Sequence, residues 1–494
     1  MSWQPRTLGQ FLLEKDPSSE ALVTLDKRLT YKELKERAEQ SAGAMQALGI
    51  GKGDRVGILM SNGAQWLALF YGAALIGAVT VPVNTRFKAA EIDFCLKQSG
   101  AKVLFYADRF LNIDFGAMVR EIGFAAVEVS SLREGKYVPV KVRPDDLLLI
   151  QFTSGTTAYP KGVMLTHENM LRNAWAAGTR IGVRPEDRYF NCRPFFHVAG
   201  STLSALMALV FGCCLVTLPT FEAQAALAIL ESERCTLISG NDTIFQMLMG
   251  HADLPKRRLA LRGGWAAAGP QTMRAIIDRL GMKAVCAAYG LSEASPNVVM
   301  SDWRDPEELR VAGLAKPHEG IEVRISDEKE IQVRGWSVMQ GYVNNPEATA
   351  KAFTADGWLR TGDLGELTAD GRLRMVGRLK DVFRVGGENV APAEVEEVLL
   401  AHPAVETAQV VGVPDARLGE VGCAYVTLKA GFAATEDEIL AFVKQKSANF
   451  RVPRYLRIVE DFEAIGMTAS GKVQKARLRE RALRDFGISP GTVA

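Results

Sequence analysis

Residues 146–162 read DLLLIQFTSGTTAYPKG, an apolar run followed by a small, hydroxyl-rich loop and a lysine. Small residues let backbone amides approach an anion closely, and Lys161 adds a cation. The stretch therefore predicts a buried strand that ends in a phosphate cradle, although a plain connection from strand to helix has the same pattern. It is not a Walker loop, because that motif needs Ser or Thr after the lysine and here Gly162 follows.

Outward from this stretch, apolar runs of strand length alternate with helical patterns over the first two-thirds of the chain. The runs are RVGILM (55–60), AVTVPV (78–83), KVLFYA (102–107), DLLLIQFT (146–153) and KAVCAAYG (283–290). A capping box formed by Thr30 and Glu33 predicts a helix start. The pattern indicates an α/β fold with mostly parallel sheets covered by helices.

The sequence changes character near Gly365. A turn at Ala369-Asp370-Gly371 predicts a short hairpin, and shorter strands and helices alternate beyond it. We place the domain boundary at Lys380. Residues 1–379 then form a large N-terminal domain with a small barrel-like β part, and residues 380–494 form a small α+β C-terminal domain.

Composition excludes several classes of protein. The 494 residues are 48% hydrophobic and 23% charged, which is typical of a globular protein. The net charge of +2 argues against a nucleic-acid partner. The seven cysteines show no metal-binding spacing, and the N-terminus lacks a signal-peptide core, so we expect a cytoplasmic protein.

The uncharged stretch at 198–221, VAGSTLSALMALVFGCCLVTLPTF, is about as long as a membrane-spanning helix. Gly212 interrupts it where a helix should stop, and the residues that follow are typical of a strand. We therefore predict a buried helix, a turn and a strand, and no transmembrane segment.

Four further motifs follow the cradle in the order YGLSE (289–293), WLRTGD (358–363), GRLKD (377–381) and SGK (470–472). In this order and spacing, the chain resembles the adenylate-forming superfamily of acyl-CoA synthetases, adenylation domains and luciferases over essentially its whole length. The resemblance implies a reaction in two steps. A carboxylic acid and ATP give acyl-AMP and pyrophosphate, and the acyl group then passes to the thiol of CoA.

The resemblance also implies roles for individual residues. Lys472, Glu293, Thr156 and Lys161 would be catalytic, with Glu293 binding Mg²⁺ and Lys472 reaching the α-phosphate. The implied ATP or AMP site consists of Thr153, Ser154, Gly155, Thr157, Ala268, Gly269, Tyr289, Gly290, Ser292, Asp363, Arg378 and Arg384. Taken alone, Lys472 reads as a surface lysine after a Ser-Gly turn, and Asp363 as a cap of a turn.

The resemblance implies the acyl site, the CoA site and the hinge in the same way. The acyl pocket would contain His197, Phe245, Ala267, Leu291 and Pro296. Gly386 and Gly387 would lie beside the pantetheine arm of CoA, and Lys380 would be the hinge of domain rotation. Taken alone, His197 reads as a core histidine and the glycine pair as a hairpin turn. Because the acyl-pocket segments contain no arginine, we expect a medium-chain or aromatic acid rather than a malonate-like diacid.

Departures from the family pattern leave the catalytic groups in place. Ala158 stands where glycine is usual, and Arg384 where lysine is common. Two alternatives remain: an adenylation enzyme that loads a carrier protein, and a non-catalytic sensor of acyl nucleotides. The presence of Lys472 and Glu293 disfavours the sensor. A small carboxylic acid is the expected partner, and the resemblance also admits a homodimer.

Overall fold

The computed structural model describes residues 2–153, 160–462, 464–467 and 473–489. Contacts within the chain divide it into two compact units. Unit 1 comprises Met1–Ala268, Thr272–Val323 and Val333–Leu359, and unit 2 comprises Gly269–Gln271, Arg324–Gln332 and Arg360–Ala494. The boundary and hinge at Lys380 concern motion between domains and stay a prediction.

Sheet A is the larger sheet of unit 1 and has ten strands within the described residues. Its strands, from edge to edge, are Lys316–Pro317, Asn297–Met300, Ala284–Gly290, Gly263–Ala267, Leu237–Ile238, Arg188–Asn191, Cys214–Thr217, Glu20–Val23 and Arg28–Thr30, with Gly240–Asn241 paired to Gly263–Ala267. The central strands run parallel, and the edge strands run antiparallel. The carboxyl ends of parallel strands meet at one edge, which is where ligands bind in such sheets.

Sheet B, also in unit 1, has six strands in the described part of the chain. They are, in order, Lys161–Thr166, Leu147–Thr153, Val79–Pro82, Arg55–Leu59, Ala101–Tyr106 and Ala126–Glu128. All pairings are parallel except that of the first two strands. The five apolar runs quoted above are all strands of these two sheets, which confirms the α/β prediction.

Helices cover the sheets, and their starts follow the sequence signals. Thr30 and Glu33 form the predicted capping box, in which Thr30 N donates to Glu33 Oε2 over 2.7 Å. The helices of five or more residues in the first 359 residues are Leu8–Leu13, Tyr31–Ala47, Ala64–Leu75, Ala89–Ser99, Phe115–Ile122, His167–Ile181, Met207–Phe211, Ala223–Ser232, Asp242–Gly250, Pro270–Leu280, Glu307–Val311 and Pro346–Ala352, within the described residues.

The uncharged stretch after His197 has the predicted organisation. It forms a helical turn at Val198–Gly200, a π-helical segment at Ser201–Leu206 and an α-helix at Met207–Phe211. Gly212 ends the helix with φ +73°, and the strand Cys214–Thr217 follows. Among the described residues, none of the helices combines the length and apolar character that a bilayer crossing requires.

The main core of unit 1 lies between sheet A and its helices. Strand residues such as Val216 and Ile238 pack there with Leu227, Phe245 and Ile276 from three helices. Each such side chain contributes about 1.5–3 kcal/mol when fully buried, so the core holds the sheet edge in place. All seven cysteines are buried as free thiols.

Unit 2 contains a five-stranded sheet within its described residues. The strands are Glu388–Val390, Phe383–Val385, Gly419–Leu428 and Val405–Asp415 in order, with Tyr455–Ile458 paired to Gly419–Leu428. The helices Pro392–Leu400, Glu436–Lys446 and Lys475–Asp485 pack against it. This arrangement confirms the small α+β C-terminal part of the fold prediction.

A hairpin outside this five-stranded sheet pairs Leu359–Leu367 with Leu373–Arg378. Its turn contains Gly371 at φ +77°, as the sequence predicts for Ala369-Asp370-Gly371. The remaining strands in the described ranges are Arg109–Phe110, Ile113–Asp114, Ile321–Ile325 and Glu330–Gly335.

Candidate active site

The two ends of the predicted phosphate cradle face each other in sheet B. Thr153 ends one strand, Lys161 begins the next, and the two are partners in the antiparallel register. Thr153 Oγ1 donates to the Lys161 carbonyl over 3.4 Å. The loop residues Ser154, Gly155, Thr156, Thr157 and Ala158 lie outside the described residues, as does Lys472, and their roles stay predictions.

Tyr342 brings the Lys161 and Glu293 side chains together within unit 1. Its hydroxyl donates to Glu293 Oε1 over 2.9 Å. The Lys161 ammonium lies 5.1 Å from the centroid of the same ring, a cation–π distance. The backbone also fixes this contact, because Val163 and Tyr342 form a β-bridge. The Lys161 ammonium and the Glu293 carboxylate thus both contact the Tyr342 side chain, one at the ring and the other at the hydroxyl.

Glu293 suits a hard divalent cation. It lies in the short 3₁₀-helix Ser292–Ala294, and its carbonyl accepts from the Met339 amide over 2.9 Å. Among the described residues, no Lys or Arg forms a salt bridge with its carboxylate, and only Oε1 is used by Tyr342. A half-buried carboxylate with a free oxygen is a normal ligand for Mg²⁺. Burial and the neighbouring Glu293 charge raise the pKa of Tyr342, so the phenol keeps the proton it donates.

Tyr289 and Gly290 end a central strand of sheet A, at the carboxyl edge. Gly290 is needed there, because a Cβ at this position would lie 1.9 Å from the Pro296 carbonyl oxygen. The Leu291 amide donates to that same oxygen over 2.8 Å. The predicted nucleotide residues Tyr289, Gly290 and Ser292 and the predicted acyl residues Leu291 and Pro296 therefore belong to one tight loop.

A buried polar network supports this loop. Asn297 Nδ2 donates to the Tyr289 carbonyl over 3.2 Å, and Asn173 exchanges hydrogen bonds of 2.8 and 3.1 Å with the Asn297 backbone. His318 Nε2 lies 2.6 Å from Asn297 Oδ1. Burial lowers the pKa of His318 to about 3, so the imidazole is neutral at pH 7 and donates to the amide oxygen.

The neighbouring strand of sheet A supplies the predicted alanine segment. Ala267 ends the strand and is exposed, and Ala268 follows it half-buried. Gly269 precedes the helix Pro270–Leu280. Phe245 is fully buried and packs in the apolar core. The structure thus places Phe245 in the core that underlies this edge.

His197 caps the helical turn that follows it. Its Nδ1 accepts from the Ala199 amide over 3.1 Å, and its carbonyl accepts from the Gly200 and Ser201 amides. The side chain is half-buried, and its place in the acyl pocket stays a prediction. Four residues before it, Arg193 has a buried side chain with its guanidinium carbon 5.5 Å from the Trp265 ring centroid.

Asp363 forms the centre of the described site residues in unit 2. It lies in the strand Leu359–Leu367, with Arg378 as its register partner, and Arg378 Nε is 3.2 Å from Asp363 Oδ1. Gly362, at φ +69°, bends this strand next to Asp363, and the role of Asp363 stays a prediction. Glu330 supports the bend by accepting from the Gly362 amide over 3.0 Å.

The other unit 2 predictions lie further along the chain. Lys380 lies in the 3₁₀-helix Leu379–Asp381. Arg384 is exposed on a hairpin strand, and its amide donates to Glu420 over 3.1 Å. Gly386 and Gly387 form the two-residue turn of that hairpin at φ +60° and +96°, a geometry that favours a glycine pair. The hairpin-turn reading is confirmed, and the contact with CoA stays a prediction.

Sequence reasoning missed Tyr342, Arg193, His318 and Glu330. Each lies in a segment without a phosphate-like or motif-like pattern, and its partner is distant in the chain. Arg193 alone had a usable signal, since an arginine inside the apolar stretch before His197 must be buried with it.

Family models match both parts of the chain. The model of the AMP-binding enzyme matches residues 12–343, and the model of the AMP-binding enzyme C-terminal domain matches residues 394–472. The first match alone covers more than half of the 494 residues.

Curated relatives cover the chain almost completely. The chain is 36% identical to a putative acyl-CoA synthetase of Bacillus subtilis, YngI, over 98% of this chain and 98% of that protein. It is 37% identical to a methyl-dioxo-octahydro-indenyl propanoyl:CoA ligase of Mycobacterium tuberculosis, over 95% and 97% of the two chains. It is 32% identical to the human mitochondrial medium-chain acyl-CoA ligase ACSF2, over 98% and 88%.

Solved structures share the fold over the whole chain. ATP-bound MatB of Rhodopseudomonas palustris superimposes with a TM-score of 0.86 at 27% identity, covering 97% of this chain and 100% of that one. The o-succinylbenzoate CoA synthetase of Bacillus subtilis, in complex with its acyl-adenylate intermediate, gives a TM-score of 0.82 at 27% identity, with 98% of both chains covered. The chain therefore belongs to the AMP-binding enzymes of the adenylate-forming superfamily, in the family of acyl-CoA synthetases and ligases.

Proposed function

We propose that this protein is an ATP-dependent carboxylic acid–CoA ligase that works through an acyl-adenylate. The observation that carries the proposal is the arrangement of Lys161, Tyr342 and Glu293 beside the end of the Thr153 strand. It offers a cation for phosphate oxygens and a carboxylate for a metal ion at one place. Phosphoryl transfer needs both, because its transition state carries dense negative charge.

In the first step, a carboxylate oxygen of the acid forms a bond to the α-phosphorus of ATP. The bond from that phosphorus to the bridging oxygen breaks, and pyrophosphate leaves. Lys161 and the hydroxyls of Thr153, Ser154, Thr156 and Thr157 stabilise the departing charge, and Lys472 binds the reacting carboxylate and the α-phosphate. This step turns a poor electrophile into a reactive mixed anhydride.

The Glu293 carboxylate fits Mg²⁺ by its charge, its free oxygen and its lack of a described cationic partner. A bound Mg²⁺ would neutralise phosphate charge. Tyr342 holds Oε1 of the carboxylate and leaves Oε2 for a ligand. Asp363, with Arg378 beside it, offers acceptor oxygens for the paired ribose hydroxyls.

In the second step, the sulfur of CoA forms a bond to the acyl carbon and the bond from that carbon to the AMP oxygen breaks. The thiol proton passes to solvent, and AMP leaves as an anion. We expect rotation about Lys380 to withdraw Lys472 before this step. The turn at Gly386 and Gly387 has no side chains, so a narrow pantetheine arm can approach its backbone closely.

The acid is a medium-chain or aromatic acid. Ala267, Ala268 and Leu291 give the carboxyl edge of sheet A an apolar character, which suits such an acid. The name of one relative supports the medium-chain part of this range, since it is a medium-chain acyl-CoA ligase.

Acid-dependent pyrophosphate release tests the proposal. The protein is incubated with ATP, MgCl₂ and a panel of aliphatic, aromatic and dicarboxylic acids, with and without CoA, and thioester is measured by mass. We expect release that depends on the acid and thioester that depends on CoA. If no acid in a broad panel supports release, the ligase proposal is wrong.

A carrier-protein loading enzyme is the second candidate, because it uses the same residues in the first step. The two differ in their acceptor. Thioester on a phosphopantetheinylated carrier, with none on free CoA, would favour this alternative. A sensor of acyl nucleotides would bind acyl-AMP analogues without releasing pyrophosphate.

A further inference from the structure

The Arg193 side chain crosses the carboxyl edge of sheet A. Arg193 follows the strand Arg188–Asn191, and Trp265 belongs to the strand Gly263–Ala267. The strand Leu237–Ile238 lies between these two in the sheet. Because the guanidinium carbon is 5.5 Å from the Trp265 ring centroid, the Arg193 and Trp265 side chains meet across that middle strand, and Trp265 lies two residues before Ala267.

This guanidinium is buried, and no carboxylate among the described residues pairs with it. Arg193 is 7% exposed, and Nε has no hydrogen-bond acceptor among the described residues. The titratable groups that face it are Cys192 and Tyr189, and burial raises the pKa of both, to about 11 for the thiol, so both are neutral at pH 7. Burial also lowers the pKa of Arg193 itself. An unpaired buried cation is costly, and stacking on Trp265 offsets only part of that cost.

The backbone holds Arg193 rigidly. Its carbonyl accepts from Asn62 Nδ2 and Asn191 Nδ2, both over 2.8 Å, and its amide donates to Asn191 Oδ1 over 3.1 Å. These bonds fix the backbone from which the side chain extends, and the contact with Trp265 orients its guanidinium.

A second polar atom without a partner lies on the other side of His197 in the chain. Thr202 is fully buried, and its Oγ1 has no hydrogen-bond partner in the described part of the chain. It belongs to the π-helical segment Ser201–Leu206, a distortion that is frequent at functional sites. Arg193 and Thr202 thus leave polar atoms without a described partner on both sides of His197 in the chain, and a purely apolar ligand would not satisfy them.

We propose that Arg193 determines substrate specificity by binding a second oxygen acceptor of the acid, an oxo group or a carboxylate remote from the reacting carboxyl group. This inference rests on the proposed ligase function and narrows its substrate class. Arg193 lies outside the predicted acyl-pocket residues, which include no arginine and therefore suggested a plain apolar acid. The refined substrate keeps a medium-chain or aromatic skeleton and carries an oxygen at its far end.

The test compares acids that share a skeleton and differ at the far end: unsubstituted, oxo-substituted and dicarboxylic. We measure kcat/KM for pyrophosphate release with the wild type, Arg193→Met and Arg193→Lys. A charged hydrogen bond to the substrate predicts a loss on the order of 10- to 100-fold for the oxygenated acids in Arg193→Met, with plain acids unchanged. Arg193→Lys should retain part of the preference for oxygenated acids. Comparing the oxo acid with the diacid shows whether Arg193 binds an oxo group or a carboxylate.

Arg310→Met is the matched control. Arg310 is also buried, at 5% exposure, but it donates to the Val285 and Asp305 carbonyls over 2.7 and 3.0 Å. Its loss should lower the thermal midpoint without changing the ratio between acids. Arg193→Met should leave the midpoint unchanged or raise it, because it removes an unpaired buried charge.

Two results would overturn the inference: an unchanged preference in Arg193→Met, or an equal loss for all acids. Failure of the proposed function would look different, as no acid would release pyrophosphate. In that case, calorimetry measures the binding of the oxo acid and the diacid directly and tests the role of Arg193 without the reaction. Weaker binding to Arg193→Met than to the wild type supports the assignment, and equal binding contradicts it.

Discussion

The hydroxyl of Tyr342 donates a hydrogen bond of 2.9 Å to the Glu293 carboxylate, across 49 positions of sequence. This contact fixes one oxygen of the proposed Mg²⁺ ligand and leaves the other free. Lys161 lies over the ring of the same tyrosine, so one side chain orients the proposed metal ligand and contacts the proposed phosphate ligand. We therefore propose that Tyr342 is a positioning residue for the first step of the reaction.

Replacing this tyrosine should weaken the use of Mg²⁺. Tyr342→Phe keeps the ring beside Lys161 and removes only the donor to Glu293. Loss of a hydrogen bond to a metal ligand typically costs about 10- to 100-fold in metal affinity or activity. We expect the concentration of MgCl₂ that gives half-maximal pyrophosphate release to rise within that range. Tyr71→Phe is the control, because it also removes a buried hydroxyl, one that donates to the Ala205 carbonyl. The same Mg²⁺ dependence in Tyr342→Phe and wild type would contradict the role.

Asp363 should affect ATP binding, whereas its neighbour on the same hairpin should not. Asp363→Asn removes the charge of a carboxylate that is 4% exposed and paired with Arg378. We expect the KM for ATP to rise on the order of 10-fold or more, since a charged acceptor contributes about 1.5–3 kcal/mol. The matched control is Glu366→Gln, whose ion pair with Arg374 is exposed at both ends. Exposed pairs contribute about 0–1 kcal/mol, so ATP binding should not change. Equal effects of the two variants would argue against a ribose site.

His318 should make stability depend on pH. Its pKa is about 3 in the folded protein and near its ordinary value of 6.5 when unfolded. Between these values the unfolded chain binds more protons, so stability present above pH 6.5 is lost as pH falls below it. This group alone contributes a slope of at most about 1.4 kcal/mol per pH unit there. His318→Gln keeps a donor for Asn297 and removes the titration.

Urea titrations at pH 7 and pH 5 measure this effect. The free energy of unfolding should fall less between the two values in His318→Gln than in the wild type. Some dependence should remain, because burial lowers the pKa of His167 to about 4 as well. An identical fall in both proteins would show that His318 titrates normally in the folded state.

Lys472 should matter for only one half of the reaction. By the family resemblance it acts on the carboxylate and α-phosphate and then withdraws. Lys472→Ala should therefore reduce acyl-AMP formation by orders of magnitude and leave thioester formation from synthetic acyl-AMP and CoA largely intact. Stopped assays of each half-reaction measure the two effects. Equal loss in both halves would contradict rotation about Lys380.

Much of the fold could be predicted from the sequence, because its signals are local. The strand runs, the capping box at Thr30, the turn at Gly371 and the break at Gly212 each depend on a few adjacent residues, and all are confirmed. In the Asp363 segment, the positive φ of Gly362 bends a paired strand.

The site could be predicted only where residues form motifs. Glu293, Lys161 and Asp363 lie in such motifs. Tyr342 and His318 do not, since their partners Glu293 and Asn297 are 49 and 21 positions away and become neighbours only when the sheets form. Arg193 was missed for another reason: its importance lies in the absence of a partner, which only burial and distances reveal.

The central claim is that the acid attacks the α-phosphorus of ATP, and oxygen transfer tests it most directly. The protein is incubated with ATP, MgCl₂, CoA and an accepted acid labelled with ¹⁸O in its carboxylate, and the products are separated and weighed by mass spectrometry. The account predicts one labelled oxygen in AMP and none in pyrophosphate. Label in inorganic phosphate, with ADP as the nucleotide product, or AMP without label would contradict it.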